Sequence, residues 1–144
     1  MRKISILLFL TWFAIILTAC GSPEEKGLYG SHESCTRTSS SVSCEGYFDK
    51  VVGENIKRYD NIFFDEEEAI YLDITVSSTE RPMSFAINQY GMDEEWQEVA
   101  VDPLQPGKFK GWIIPDANRK FAIKYMQDGK NATGRVDYKF VINR

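Results

Sequence analysis

Four stretches in the second half of the chain alternate apolar and polar residues with a period of two. Ile70, Leu72, Ile74 and Val76 are interleaved with Tyr71, Asp73, Thr75 and Ser77. Met83, Phe85 and Ile87 alternate with Ser84, Ala86 and Asn88, and Phe121, Ile123 and Tyr125 alternate with Ala122 and Lys124. Val136, Tyr138, Phe140 and Ile142 close the series opposite Asp137, Lys139 and Asn143. Successive side chains of a strand point to opposite faces, so each stretch predicts a strand with one face in a core and one in water. Ser78 to Pro82 and Asp128 to Asn131 supply turn residues between them.

Weaker candidate strands lie at Tyr47 to Val52, Ile56 to Phe64, Trp96 to Val101 and Lys108 to Ile114. Beyond the first twenty residues, no window of 11 or more carries the i, i+3, i+4, i+7 stripe of an amphipathic helix. Seven or eight short antiparallel strands predict an all-β fold, and three or four large residues on each apolar face suit a β-sandwich. Residues 21 to 34 are Gly, Pro, Ser and charge with one apolar pair, Leu28-Tyr29, and predict a flexible tether.

The N-terminus has a different pattern. Arg2 and Lys3 precede 16 uncharged residues, Ile4 to Ala19, which is short of the roughly 20 needed to span a bilayer and matches an export signal. The run ends in Leu17-Thr18-Ala19-Cys20, and these four residues resemble the lipobox of bacterial lipoproteins. That resemblance implies cleavage before Cys20, a diacylglyceryl group on its sulfur, and further acylation by chains such as palmitate. Two acyl chains meet the two-signal requirement for stable anchoring. The implied location is extracytoplasmic: the outer face of the cell membrane, or the outer membrane of a two-membrane cell.

With Cys20 assigned to lipid, Cys35 and Cys44 remain, and in an exported chain such a pair predicts a disulfide. The expected organisation is a signal peptide at 1–19, a tether with a disulfide-closed loop at 20–45, and a sandwich domain at 46–144. Loss of Arg2 and Lys3 leaves 15 basic residues against 21 acidic ones, which argues against nucleic acid as a partner met by charge.

A second resemblance rests on Pro106-Gly107, on Lys120-Phe121-Ala122-Ile123-Lys124, and on Gly134-Arg135-Val136-Asp137-Tyr138-Lys139-Phe140. The stretch from Gly46 to Arg144 is similar to small extracytoplasmic sandwich modules of the pre-peptidase and carbohydrate-module type. It implies a binding or spacing module and transfers no site residues.

Catalytic chemistry finds little footing. His32 is the only histidine and lies in the expected tether, and the chain has no Gly-x-Ser-x-Gly, His-Glu-x-x-His or glycine-rich phosphate loop. A carboxylate-dependent hydrolase would draw on Asp65 to Glu68 and Asp93 to Glu95. Asp65, Glu67, Asp93 and Glu94 are also weak calcium candidates without EF-hand spacing; no other metal and no cofactor is expected. Trp96, Trp112, Tyr90 and Tyr125 are candidates for an aromatic ligand platform, the alternative being that such rings fill the core. Phase turns Trp112 outward with Lys108 and Lys110, although Ile114 shares that phase and leaves open a strand buried on both sides.

The expectation is therefore a non-enzymatic, membrane-anchored envelope module. Contact with an envelope protein, of accessory or immunity type, leads. Binding of carbohydrate or cell-wall glycan is the alternative, and a hydrolase the third.

Overall fold

The computed structural model describes residues 25–59, 69–88, 96–115, 121–127 and 132–143. Among them are eleven strands: β1 (Gly27–Tyr29), β2 (His32–Arg37), β3 (Ser41–Phe48), β4 (Lys50–Val52), β5 (Glu54–Tyr59), β6 (Ile70–Ser78), β7 (Met83–Asn88), β8 (Trp96–Val101), β9 (Gly107–Ile113), β10 (Phe121–Met126) and β11 (Val136–Asn143). Every pairing is antiparallel. A five-stranded sheet has the order β2-β3-β11-β6-β9, a four-stranded sheet the order β5-β10-β7-β8, and β1 pairs with β4 in a small third sheet.

The two larger sheets pack face to face as a β-sandwich. The apolar phase of each alternating stretch points inward: Ile70, Leu72, Ile74 and Val76 of β6 are fully buried, as are Val136, Phe140 and Ile142 of β11. Opposite them lie Phe85 and Ile87 of β7 and Ile123 and Tyr125 of β10. Aromatic rings cross the seam. Phe48 meets Tyr125 edge to face at 5.0 Å, and Phe140 meets both Tyr59 and Phe121 the same way at 4.9 and 5.6 Å. Full burial of a side chain of this size stabilises the fold by about 1.5–3 kcal/mol relative to leaving it in water.

Strands β6 and β11 form the centre of the five-stranded sheet, paired over eight residues from Asn143↔Tyr71 to Val136↔Ser78. Their connections fit the expected turns: Ser78 Oγ donates to Arg81 O at 2.7 Å before β7 begins. Gly134, at φ 75°, turns the chain into β11 in a conformation that a side chain would strain.

The N-terminal part departs from the sequence reading. Within residues 27–45, assigned there to a tether and a disulfide-closed loop, lie β1, β2 and the first half of β3. β2 and β3 make a hairpin with Thr38 at its tip, where Thr38 N donates to Ser41 O at 2.8 Å. Cys35 and Cys44 are directly opposite one another in this hairpin and are disulfide-bonded, with a Cα–Cα distance of 4.1 Å. The Ser/Thr-rich loop is therefore a cross-braced strand pair. Alternation did not reveal β2 because all six of its residues are exposed. The strand count rises accordingly above seven or eight.

Candidate functional site

The outward phase of the five-stranded sheet is a polar grid with aromatic rings at two of its corners. At the β9 edge, Trp112 stands opposite Tyr71, Lys110 opposite Asp73 and Lys108 opposite Thr75. Trp112 is 62 % exposed, and its ring meets Tyr71 edge to face at 5.5 Å. Asn143 adjoins Tyr71 on β11. Lys110 Nζ lies 2.6 Å from Asp73 Oδ2, and the hydrogen bond to this carboxylate, followed by its charge, raises the lysine's pKa above the usual value. Ile114, just beyond β9, is also exposed, so the outward phase of this strand is open to solvent.

At the opposite corner, Tyr47 of β3 sits between His32 of β2, ring centroids 5.6 Å apart, and Arg135, whose guanidinium carbon lies 3.9 Å above the tyrosine ring. Arg135 Nε and Nη2 both donate to Asp137 Oδ1, at 3.0 and 2.8 Å, which fixes the guanidinium plane. Lys139 and Glu45, cross-strand partners on β11 and β3, approach to 4.0 Å. These residues line a shallow depression of about 310 Å³. A depression of about 640 Å³ between Met83, Val99, Val101 and Gly107 has no aromatic ring in its wall.

Beneath this corner a polar clasp joins the two sheets. Glu33 of β2 and Tyr138 of β11 both pair with Gly46 of β3, and a Cβ on Gly46 would come within 2.5 Å of the Tyr138 hydroxyl. The absent side chain lets Tyr138 lie across β3 and donate to Glu33 Oε2 at 2.5 Å. Lys57 of β5 reaches over from the other sheet and donates to the same carboxylate at 2.7 Å and to the Tyr138 hydroxyl at 2.8 Å. Tyr59 and Tyr125 place buried hydroxyls nearby that have no hydrogen-bond partner among the described residues. Burial is the first cause that raises the pKa of Tyr59, Tyr125 and Tyr138, and the Glu33 carboxylate raises all three further. The clasp is fully engaged within the protein and serves as a strut.

The four-ring platform expected from the sequence is not assembled. Trp112 is exposed as its phase predicted. Trp96 is on β8, on the outer face of the other sheet, with Lys124 Nζ 4.5 Å above its ring. Tyr125 is fully buried in the core and is corrected from ligand platform to packing residue. Its phase with Phe121 and Ile123 already pointed inward. Tyr90 lies outside the described residues, as do Cys20 and the calcium candidates Asp65, Glu67, Asp93 and Glu94. Among the described residues no group of three or more His, Cys, Asp or Glu side chains is placed to hold a metal ion, and no helix is long and apolar enough to cross a membrane. Sequence reasoning missed Tyr71, Tyr47 and Arg135. Tyr71 had a usable signal, since it occupies the polar phase of the most regular strand.

No protein-family model matches the chain, and no curated protein matches it. Among solved structures, it is similar to the C-terminal CBM6 of LamC, a marine laminarinase from Zobellia galactanivorans, at 10 % identity and a TM-score of 0.36, covering 82 % of this chain and 94 % of that one. It is also similar to the CBM22-1 xylan-binding domain of Xyn10C from Paenibacillus barcinonensis, at 13 % identity and a TM-score of 0.35, covering 79 % and 81 % of the two chains.

Proposed function

We propose that this protein is a non-catalytic glycan-binding module of the cell envelope, held at the membrane by lipid on Cys20 and using the Trp112–Tyr71 corner as its sugar platform. The observation that carries the reading is Trp112: a large ring, 62 % exposed, on a paired strand, propped by a second ring and bordered by the Lys110–Asp73 ion pair. A flat apolar ring matches the C–H face of a pyranose, and the ammonium, carboxylate and Asn143 amide around it match its hydroxyls. A rigid strand presents that ring with little ordering cost.

Tryptophan fluorescence titrated with cell-wall fragments tests this, with Trp96→Phe as background so that Trp112 reports in the mature chain. A saturable shift that disappears in Trp112→Ala is expected. No shift, together with unchanged fragment binding in Trp112→Ala, would overturn the proposal.

A second reading, contact with an envelope protein, is favoured by one feature. Trp112 and Ile114 lie side by side at the outer edge of the five-stranded sheet, where β9 has a strand neighbour on one side only among the described residues. An apolar pair on a strand edge also suits strand addition by a partner. Crosslinking in intact cells that reproducibly captures one protein through position 112, without glycan binding, would favour it.

A further inference from the structure

We infer that the end of the sandwich opposite the Trp112–Tyr71 corner is seated on the lipid surface, with Leu104 entering the headgroup region. This rests on the lipid anchor at Cys20 and adds which end of the domain the membrane meets. Leu104 is 95 % exposed, more than any other large apolar side chain among the described residues. It lies with Pro103 in the tight turn from β8 to β9, and the turn is built to hold it there. Asp102 N and Gln105 N each donate to the other residue's carbonyl, at 3.0 and 2.9 Å, and Leu104 N donates to Asp102 Oδ1 at 3.0 Å. A side chain presented on a turn closed in this way loses little freedom on docking. Pro82 and Pro106 are exposed alongside, on the rim of the depression of about 640 Å³ between Met83, Val99 and Val101, and extend the apolar surface.

Register fixes which end this is. Gly107 is opposite Val76, Met83 is opposite Val101, and Val136 is opposite both Ser78 and Phe48. The turns at 79–82 and 102–106 therefore share one end of the sandwich with the corner where β3 passes into β4. From that corner β4 carries the chain to Glu54, opposite Met126 in the other sheet, and β1 pairs along it. The chain enters β1 at this end, and five peptide units join Glu25 to Cys20, a reach of at most about 18 Å. A lipid on Cys20 therefore holds this end beside the bilayer, where an exposed leucine on a rigid turn gains by entering the interface. Trp112 lies five residues along β9 from Gly107, about 17 Å along the strand toward the opposite end. The contact is apolar: Lys26, Lys50, Arg81 and Arg135 meet Glu25, Asp49, Glu54, Glu80 and Asp102 at this end, so no positive excess draws anionic headgroups.

Fluorescence quenching tests this on the lipidated chain reconstituted into phosphatidylcholine vesicles with and without brominated acyl chains. One variant combines Leu104→Trp with Trp96→Phe and Trp112→Phe, so that the mature chain has its one indole at position 104. The other carries Trp96→Phe alone and reports from Trp112. Emission from position 104 should shift to the blue on reconstitution and fall at least twofold with brominated lipid, equally so when phosphatidylglycerol is mixed in, while emission from Trp112 stays unchanged. In the parent sequence, hydrogen exchange in the 102–106 turn should slow on vesicles relative to a soluble chain that begins at Gly21, which makes the test independent of how the variants fold. An unquenched position 104, quenching at Trp112 equal to or above that at position 104, or an unslowed turn in the parent overturns the inference. Failure of the anchor reads differently: the mature mass lacks acyl chains and the parent does not float with vesicles. The same variants, coupled to maleimide-bearing lipid through Cys20, the one thiol outside the disulfide, then decide the seating. Glycan binding at Trp112 stands or falls in its own titration.

Discussion

The two tryptophans among the described residues lie on the outer faces of opposite sheets, each on the edge strand of its sheet, and they end in different states. Trp112 stands clear of its sheet with Tyr71 beside it, whereas Trp96 lies beneath Lys124. Both have a lysine within reach, so the difference comes from the neighbouring strand. Beside Trp112, β6 offers the bulk of Tyr71 and the carboxylate of Asp73, which stands directly opposite Lys110 and draws its ammonium away from the indole. Opposite Trp96, β7 offers Asn88, and two residues away on the same face the small Ala86, across which Lys124 reaches the ring while Glu54 holds it from the other side at 3.1 Å. A tryptophan on the polar phase is thus available or self-occupied according to the size and sign of the residues one strand away.

The largest effect that tests this contrast is on the face itself. Cys35→Ser with Cys44→Ser should lower folding stability by about 2.5–3 kcal/mol, by the loop-closure estimate for the short hairpin, as read from urea unfolding. The loss should fall on the β2 side, so hydrogen exchange should quicken in β2 and stay unchanged in β8. Equal acceleration in both would mean that the two faces are not independent. Next comes Trp112→Ala, which should cost tenfold or more in glycan affinity, about 1.4 kcal/mol, and leave stability within about 0.5 kcal/mol. Trp96→Ala should do the reverse, costing about 1 kcal/mol of stability through its lost cation contact and packing while binding is retained.

Alkaline pH separates both faces from the core between them. Tyr59 and Tyr125 have raised pKa values because burial opposes the phenolate, so they keep their protons in the native chain when the unfolded chain releases them near pH 10. The native state then binds more protons than the unfolded one, and stability falls as pH rises above about 10. The urea midpoint should decline more gently in Tyr59→Phe, and that variant should be no less stable than the parent at pH 7 because it removes a buried hydroxyl that has no partner among the described residues. The smallest effect belongs to Asp73→Asn. It frees Lys110 to settle over Trp112, and glycan affinity should drop about two- to fivefold, matching a single cation–π contact.

The central strands were legible because β6, β10 and β11 are buried on one face only, which stamps a period of two on the chain; β7 carries the same alternation in residue type, although its outer Ala86 and Asn88 are buried as well. The same alternation placed Trp112 outward. It failed for β2, whose His-Glu-Ser-Cys-Thr-Arg buries nothing and is strand because β3 pairs with it and a disulfide crosses it. Composition reads such a segment as a tether. The Trp112–Tyr71 and Tyr47–Arg135 corners were illegible for another reason. Each joins residues from different strands, and the register that brings them together is a property of the sheet. Tyr125 shows the opposite fault, an aromatic taken for a platform although its own phase put it inside.

The empty place at Gly46 bears on the order in which the chain can be completed. The hairpin of β2 and β3 is local, and its two cysteines can meet as soon as residue 48 has emerged. The hydroxyl that crosses Gly46 to receive Lys57 and reach Glu33 belongs to Tyr138, 105 residues beyond that glutamate, and the strand that flanks β3 on the side away from β2 is β11, the last of the described strands. A chain delivered from its N-terminus therefore carries an early, covalently closed hairpin that waits with an unfilled slot for its final strand. Loss of β11 should strand that hairpin outside the sandwich with its disulfide intact, so β11 acts as the latch on a structure begun far from it in the chain.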